Sequence, residues 1–249
     1  HLERIRRVNG KMAVSNEKIE QTIESALRNG CRKIDLFFMT GLPKQNYDDA
    51  VACVEYCRYL LEKFPGENRL NFFVAPLAPF LDPGSPAFEN PEKYGYKLFH
   101  RTLEEHRRAL TMPSWKYILN YETDSMSRNE IVEATYESAL RLNLLKREYN
   151  LITEADFMTL DYRIKTARNI LRKIDEIMKL PEPQQNLKFQ LIRKKIEDVN
   201  KASICGEEEL SWPIRKGADY YSVAKVLLEL FFQEWSLLFN KIKLSLMKR

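Results

Sequence analysis

Residues 32–43 read RKIDLFFMTGLP, and the fold turns on this stretch. From Ile34 to Gly41 it carries one charge and is otherwise almost wholly apolar and aromatic. Gly41-Leu42-Pro43 then breaks the run, and a helical pattern follows. A continuous apolar run between breakers indicates a strand buried on both faces, as in parallel sheets covered by helices. In such folds ligands sit beyond the C-terminal ends of the strands. Thr40, Gly41, Leu42 and Pro43 are therefore the first candidates for a binding site.

The flanking sequence completes the unit. Upstream, Ser15 is an N-cap for a helix with apolar positions Ile19, Ile23, Ala26 and Leu27, stopped by Asn29-Gly30. Downstream, Asn46 caps a second helix, with Asp48 and Asp49 in its first turn and Ala50, Val54, Cys57, Leu60, Leu61 and Phe64 at helical spacing. Pro65-Gly66 ends it, and a second uncharged run, LNFFVAPLAPF, occupies residues 70–80. Helix, strand, helix, strand predicts a parallel α/β unit with a right-handed crossover, residues 32–40 pairing with 70–78. Two parallel strands do not stand alone. Residues 1–89 therefore read as the end of a larger barrel or sheet, with its edges covered by another copy or by the C-terminal helices.

Beyond residue 80 the texture changes. LDPGSPAFENPEKYGY (residues 81–96) reads as an ordered loop, and Asn90-Pro91 as the start of a helix running to Ala109. Ser127-x-x-Glu130 is a capping box opening a helix to Tyr149, and Thr153-x-x-Asp156 resembles another. Phe157, Leu160, Ile164, Ala167, Leu171, Ile174 and Met178 then form a seam of alternating three- and four-residue spacings. Phe189, Ile192, Ile196 and Val199 repeat it, and an apolar helix is expected over residues 220–247. Residues 90–249 read as all-helical. The expected fold class is α/β followed by all-α: a partial (β/α) barrel with two parallel strands, then a C-terminal helical bundle.

Forty basic against 35 acidic residues leave a net charge of +5, spread along helices, which argues against a nucleic-acid partner. No apolar run reaches membrane-spanning length and no signal peptide is visible, so a cytoplasmic protein without a membrane partner is expected. Cys31, Cys53, Cys57 and Cys205 are not spaced as a disulfide framework. Cys53 and Cys57, one helical turn apart with Leu at residue 60, read as structural rather than metal-binding.

The order of "GCRKIDLFFMTGLPKQNYDDA" and "NFFVAPLAPFLDPGSPAFENPEKYGY" resembles the C-terminal half of the radical S-adenosylmethionine barrel, in the subclass that carries an N-terminal cobalamin-binding domain. In that family a late strand ends in Gly-Leu-Pro and the next leads to a Pro-Gly-Thr or Pro-Gly-Ser segment; here these are Gly41-Leu42-Pro43 and Pro83-Gly84-Ser85. The match covers residues 9–96. It implies a fragment of an Fe–S oxidoreductase or methyltransferase whose intact parent uses S-adenosylmethionine, a [4Fe–4S] cluster and cobalamin. Met39, Thr40, Gly41, Leu42, Pro43, Ala75 and Pro76 would line the adenine side of the cofactor pocket. The family's C-x3-C-x2-C motif is absent, and Asn46 stands where threonine is usual. The resemblance therefore implies no catalytic residue, metal ligand or cofactor in this chain by itself, and a partner in the missing N-terminal half. The alternative is a non-catalytic helical module for protein interaction or homodimerisation; a third reading is a small α/β domain binding an anion at a helix N-terminus.

The other chemistry-bearing residues read as structural. His100 and His106 lie six apart, not at the three- or four-residue spacing of helical metal pairs. Asp124 suits the turn before the capping box better than a catalytic pair with Glu122. Arg4-Ile5-Arg6-Arg7 and Arg193-Lys194-Lys195 read as solvated faces, and Tyr94 and Tyr96 as packing residues.

Overall fold

The structure is a computed structural model describing residues 2–10, 14–76 and 81–203. It divides into two compact units, residues 1–200 and 201–249. The helix expected over 220–247, Cys205 and residues 77–80 of the second apolar run lie outside the described residues.

Each element begins where a side chain can satisfy its free backbone N–H groups. After a short helix α1 (Glu3–Val8), Ser15 accepts from Lys18 N–H and opens α2 (Asn16–Arg28). Strand β1 (Ile34–Thr40) leads through Gly41-Leu42-Pro43 to α3 (Tyr47–Val51), where Asn46 and Asp49 form a capping box. The expected single helix is broken at Ala52, and α4 (Cys53–Lys63) continues it. Strand β2 (Leu70–Pro76) pairs with β1 in parallel, in register from Ile34 opposite Leu70 to Thr40 opposite Pro76. This is the predicted pairing over the described residues.

The helix expected from Asn90 to Ala109 does not form. Instead α5 (Pro86–Glu89) and a 3-10 turn (Glu92–Tyr94) are followed by β3 (Tyr96–Leu98). Gly95, at φ 77°, stops the turn in the left-handed region, which ends the helical path that Pro91 begins. The helix α6 (Leu103–Leu110) starts later, in a Thr102–Glu105 capping box. It is followed by α7 (Trp115–Ile118) and β4 (Tyr121–Thr123), which pairs antiparallel with β3. The stretch from residue 90 is thus not all-helical. The long helices α8 (Arg128–Glu148), α9 (Glu154–Met178) and α10 (Glu182–Ser203) come next, the first two capped by Ser127 and Thr153 as their motifs require. Among the described residues the fold is mixed α/β and mostly helical, ending in the three long helices α8 to α10.

Two apolar cores form. Ile34, Leu36 and Phe38 of β1 and Leu70, Phe72 and Val74 of β2 share one sheet face and pack on Ile23 of α2, on Cys53, Val54, Cys57, Leu60 and Leu61 of α4, and on Leu142 and Leu145 of α8. The second core gathers Ala50, Val51, Leu81, Phe88, Tyr96, Leu119, Tyr121 and Met126 around Ile131 and Ala134 of α8. Helix α8 therefore serves both. On α9 the expected seam holds at Phe157, Leu171 and Ile174, while Leu160 is exposed and Ile170 and Ile177 are buried in addition.

The strands are not buried on both faces as their composition predicts. Phe72 is 0% exposed, but Phe37, Phe73 and Met39 on the opposite face are 66%, 36% and 42% exposed. Phe37 and Phe73 stack there at 4.8 Å, and Asn71 donates to Asp35 at 3.0 Å. From the rim, Lys146 of α8 reaches Asn71 Oδ1 at 3.2 Å, its ammonium lying 5.4 Å from the centroid of the Phe73 ring. Burial pushes the Lys146 pKa down.

The two faces should respond differently to the same deletion. Phe72→Ala is expected to cost about 3–5 kcal/mol in urea unfolding. Phe37→Ala should cost no more than about 1.5 kcal/mol, the scale of an aromatic pair. Equal losses would show that the Phe37 face is covered.

Candidate functional site

The site begins at the C-terminal end of β1, where the chain must leave the sheet without leaving polar groups bare. Gln45, 4% exposed, does most of this. Its Nε2 donates to Met39 O at 3.1 Å, its Oε1 accepts from Leu42 N at 3.2 Å, and its own N–H donates to Leu42 O at 3.1 Å. Thr40 is buried, with its hydroxyl 2.8 Å from that of Thr135 on α8. Thr135 spends its single proton on Ile131 O at 2.7 Å, so Thr40 is the donor in that pair.

Gly41 has φ 78°, and a Cβ there would lie 3.1 Å from both Ile131 Cγ2 and Tyr121 Oη. Its close backbone approach is to α8 and β4, not to open space. The loop is held from outside as well. Lys44 pairs with Asp124 through its ammonium and donates its N–H to Asp124 Oδ1 at 3.3 Å; Arg4 reaches Lys44 O at 3.3 Å, and Asn9 Nδ2 lies 3.4 Å from Pro43 O. Lys44 beside Asp124 holds that carboxyl below its usual range.

Next to this loop is a cavity of about 890 Å³. One wall is α1 with its two capping residues (Leu2, Ile5, Val8, Asn9), another is β1 from Leu36 to Met39, with Leu42, Pro43 and Lys44 at the loop and Glu92 to Tyr96 beside them. Ile19, Cys53, Tyr56 and Leu60 extend its apolar lining. Four consecutive β1 residues line it because it runs along the strand's outer edge. Ile34 N–H donates to Arg69 O at 2.8 Å toward β2. By the alternation of a parallel ladder, Asp35, Phe37 and Met39 therefore turn their peptide groups outward. Among the described residues no strand pairs with that edge, and the sheet has two strands. Helix α8 packs beside β2, so the expected cover by C-terminal helices exists on that side, whereas the β1 edge faces the cavity.

The structure thus divides the residues singled out in the sequence. Met39, Leu42 and Pro43 line the cavity. Thr40 and Gly41 pack toward α8, and Ala75 and Pro76, at the end of β2, are not part of the cavity wall. Sequence reasoning missed Gln45 and the α1 wall, and read Asp124 only as a turn residue. Gln45 stands two residues past a proline where a solvated loop is the ordinary reading, and Asp124 acts across 80 residues of chain.

No protein-family model, curated protein or solved structure matches this chain. Cys53 and Cys57 sit in the sheet core; burial pushes the Cys53 thiol up to about 11 and raises Cys57 further still. Thiols held protonated do not suit a cluster, which takes thiolates. Among the described residues no group of three His, Cys, Asp or Glu side chains is placed to hold a metal ion. Among them, too, no helix is long and apolar enough to cross a membrane.

Two outcomes test the loop. Gln45→Ala strands Met39 O and Leu42 N and should cost about 1–3 kcal/mol in chemical denaturation. The Lys44–Asp124 pair stabilises the fold above the ordinary aspartate range, near pH 3.9, and its contribution is lost as pH falls through the depressed folded value. The stability gap between the native chain and Asp124→Asn should accordingly shrink on acidification from neutral pH. A gap that stays constant would remove the pair from the loop's support.

Proposed function

We propose that the β1–β2 unit is the closing part of a larger parallel α/β barrel of the radical S-adenosylmethionine type, and that its activity belongs to the intact barrel. One observation carries this reading: among the described residues the sheet is helix-covered on one face, exposed and aromatic on the other, and without a pairing strand along β1. That is the disposition of a barrel wall, with helices outside and a lumen inside. The open edge is where a preceding strand would pair, and the adjoining cavity gives it room.

In this reading the [4Fe–4S] cluster is held by residues outside those described, because the cysteines in the sheet core do not fit one. Bound S-adenosylmethionine would supply the radical chemistry and cobalamin a methyl relay. This chain's share is shape and exclusion of water. Met39, Leu42 and Pro43 offer apolar surface at the strand end. Met39 O, Leu42 N–H, the Thr40 hydroxyl and Lys44 N–H are already taken by Gln45, Thr135 and Asp124, so Met39, Leu42 and Pro43 would meet an adenine by packing.

A second reading rests on a different surface. Leu187 and Leu191, one turn apart on α10, are 63% and 77% exposed, as expected of a helix that docks a partner or a second copy.

Anaerobic iron–sulfur reconstitution of the full-length parent, followed by visible absorption and 5′-deoxyadenosine release, tests the first reading. A cluster with S-adenosylmethionine cleavage is expected, and Leu42→Asp should raise the Kd for S-adenosylmethionine about tenfold or more. A parent with neither cluster nor cleavage overturns it. Light scattering then addresses the second reading: a dimer that Leu187→Glu/Leu191→Glu converts to monomer would establish the helical module.

A further inference from the structure

His106 lies in a hydrogen-bond chain whose proton positions are fixed by its neighbours. Its Nδ1 is 2.9 Å from Thr102 O, an acceptor, so Nδ1 carries a proton. Its Nε2 is 3.1 Å from Asn120 Nδ2. Asn120 is fully buried, and its Oδ1 accepts from Leu81 N–H at 2.9 Å, which fixes the amide's orientation. Asn120 therefore donates to Nε2, and the imidazole is the neutral Nδ1–H tautomer. A second proton would set an N–H against the Asn120 amide donor, and this contact cannot survive it.

What the chain holds is a wall of the cavity. Leu81 is buried at the start of the segment that carries Phe88, Tyr94 and Tyr96. Ala87 and Glu92 to Tyr96 of that segment line the cavity, and Phe88 lies against the His106 ring at 6.3 Å.

We propose that His106, Asn120 and Leu81 form a pH-sensitive latch: protonation of His106 releases Asn120 and loosens residues 81–96 on one side of the cavity. This holds whether or not the barrel reading is correct, since it concerns only the wall's attachment.

Among the described residues, the other titratable groups close to it make bonds of their own. His100, 6.0 Å away between ring centroids, lies with Nε2 3.3 Å from Tyr117 O and so donates to it. Glu105 accepts from Arg101 and Thr102 N–H, and these bonds hold its carboxyl down at about 2, so it stays anionic throughout the histidine range. Glu89, on the segment itself, accepts from Gly84 N–H. On α7, Lys116 and Tyr117 both bond Asp175. His100 donates through Nε2 already, and a second proton on its Nδ1 leaves that bond in place.

Hydrogen exchange of the full chain, corrected for intrinsic rates, is the test. Protection of the Leu81 amide should fall about tenfold, one hydrogen bond's worth, between roughly pH 7.5 and 5.5. In Asn120→Asp the carboxylate accepts from an imidazolium and still holds Leu81, so the fall should vanish. In His106→Phe protection should be low and independent of pH. Nitrogen chemical shifts of the native imidazole should report Nδ1–H near pH 8 whether or not the variants fold. An Nε2–H tautomer, unchanged native protection, or an equal fall in either variant would overturn the latch.

Discussion

The close approach of Gly41 to α8 is the constraint on which the rest of the structure depends. A parallel pair of strands has no means of sealing its own ends. Here the end of β1 is pressed onto Ile131 and Tyr121 by a residue without a side chain, and Thr40 fastens it to Thr135. That contact fixes α8 against the sheet, so Leu142 and Leu145 complete the sheet core while Ile131 and Ala134 complete the other. A single helix thereby joins the two cores, which also meet in sequence where Ala50 and Val51 of one precede Cys53 and Val54 of the other.

The same fastening explains the character of the loop. The Thr40 hydroxyl, the Leu42 N–H, the Lys44 N–H and the Met39 carbonyl are each matched to a partner in the protein. Gln45 bridges Met39 and Leu42, and Lys44 and Asp124 lock the turn to β4's outgoing segment. At the loop itself a guest meets the apolar surface of Met39, Leu42 and Pro43, while Arg6, Glu92, Lys93 and Tyr94 add polar groups elsewhere in the cavity wall.

How far this was legible in the sequence differs by feature. The strands were readable because eight nearly uncharged residues between breakers have few alternatives. The caps at Ser15, Asn46, Ser127 and Thr153 were readable because capping chemistry is local. The bare sheet face was not, because Phe37, Met39 and Phe73 are as apolar as the residues beneath them, and composition does not say which face is covered. The β3–β4 pair was hidden by Asn90-Pro91, a sound helix start that Gly95 overrules five residues later. At the site, Met39, Leu42 and Pro43 followed from the rule about strand ends. Gln45 and Asp124 did not, since their roles rest on contacts that only the tertiary fold creates.

The span of the α8 contact also bears on synthesis. Thr40 and Thr135 are separated by 95 positions, and the sheet core lacks Leu142 and Leu145 until α8 has been made. At roughly 5–20 residues per second, the stretch of about 70 residues from β2 to Leu142 takes about 4–14 s to emerge from a ribosome. For that interval Leu60 and Phe72 have no complete cover, and the edge of β1 is available to any neighbouring strand. The nascent chain is thus most exposed to mispairing before its own eighth helix arrives, and a slow translation rate between residues 76 and 142 would prolong that exposure.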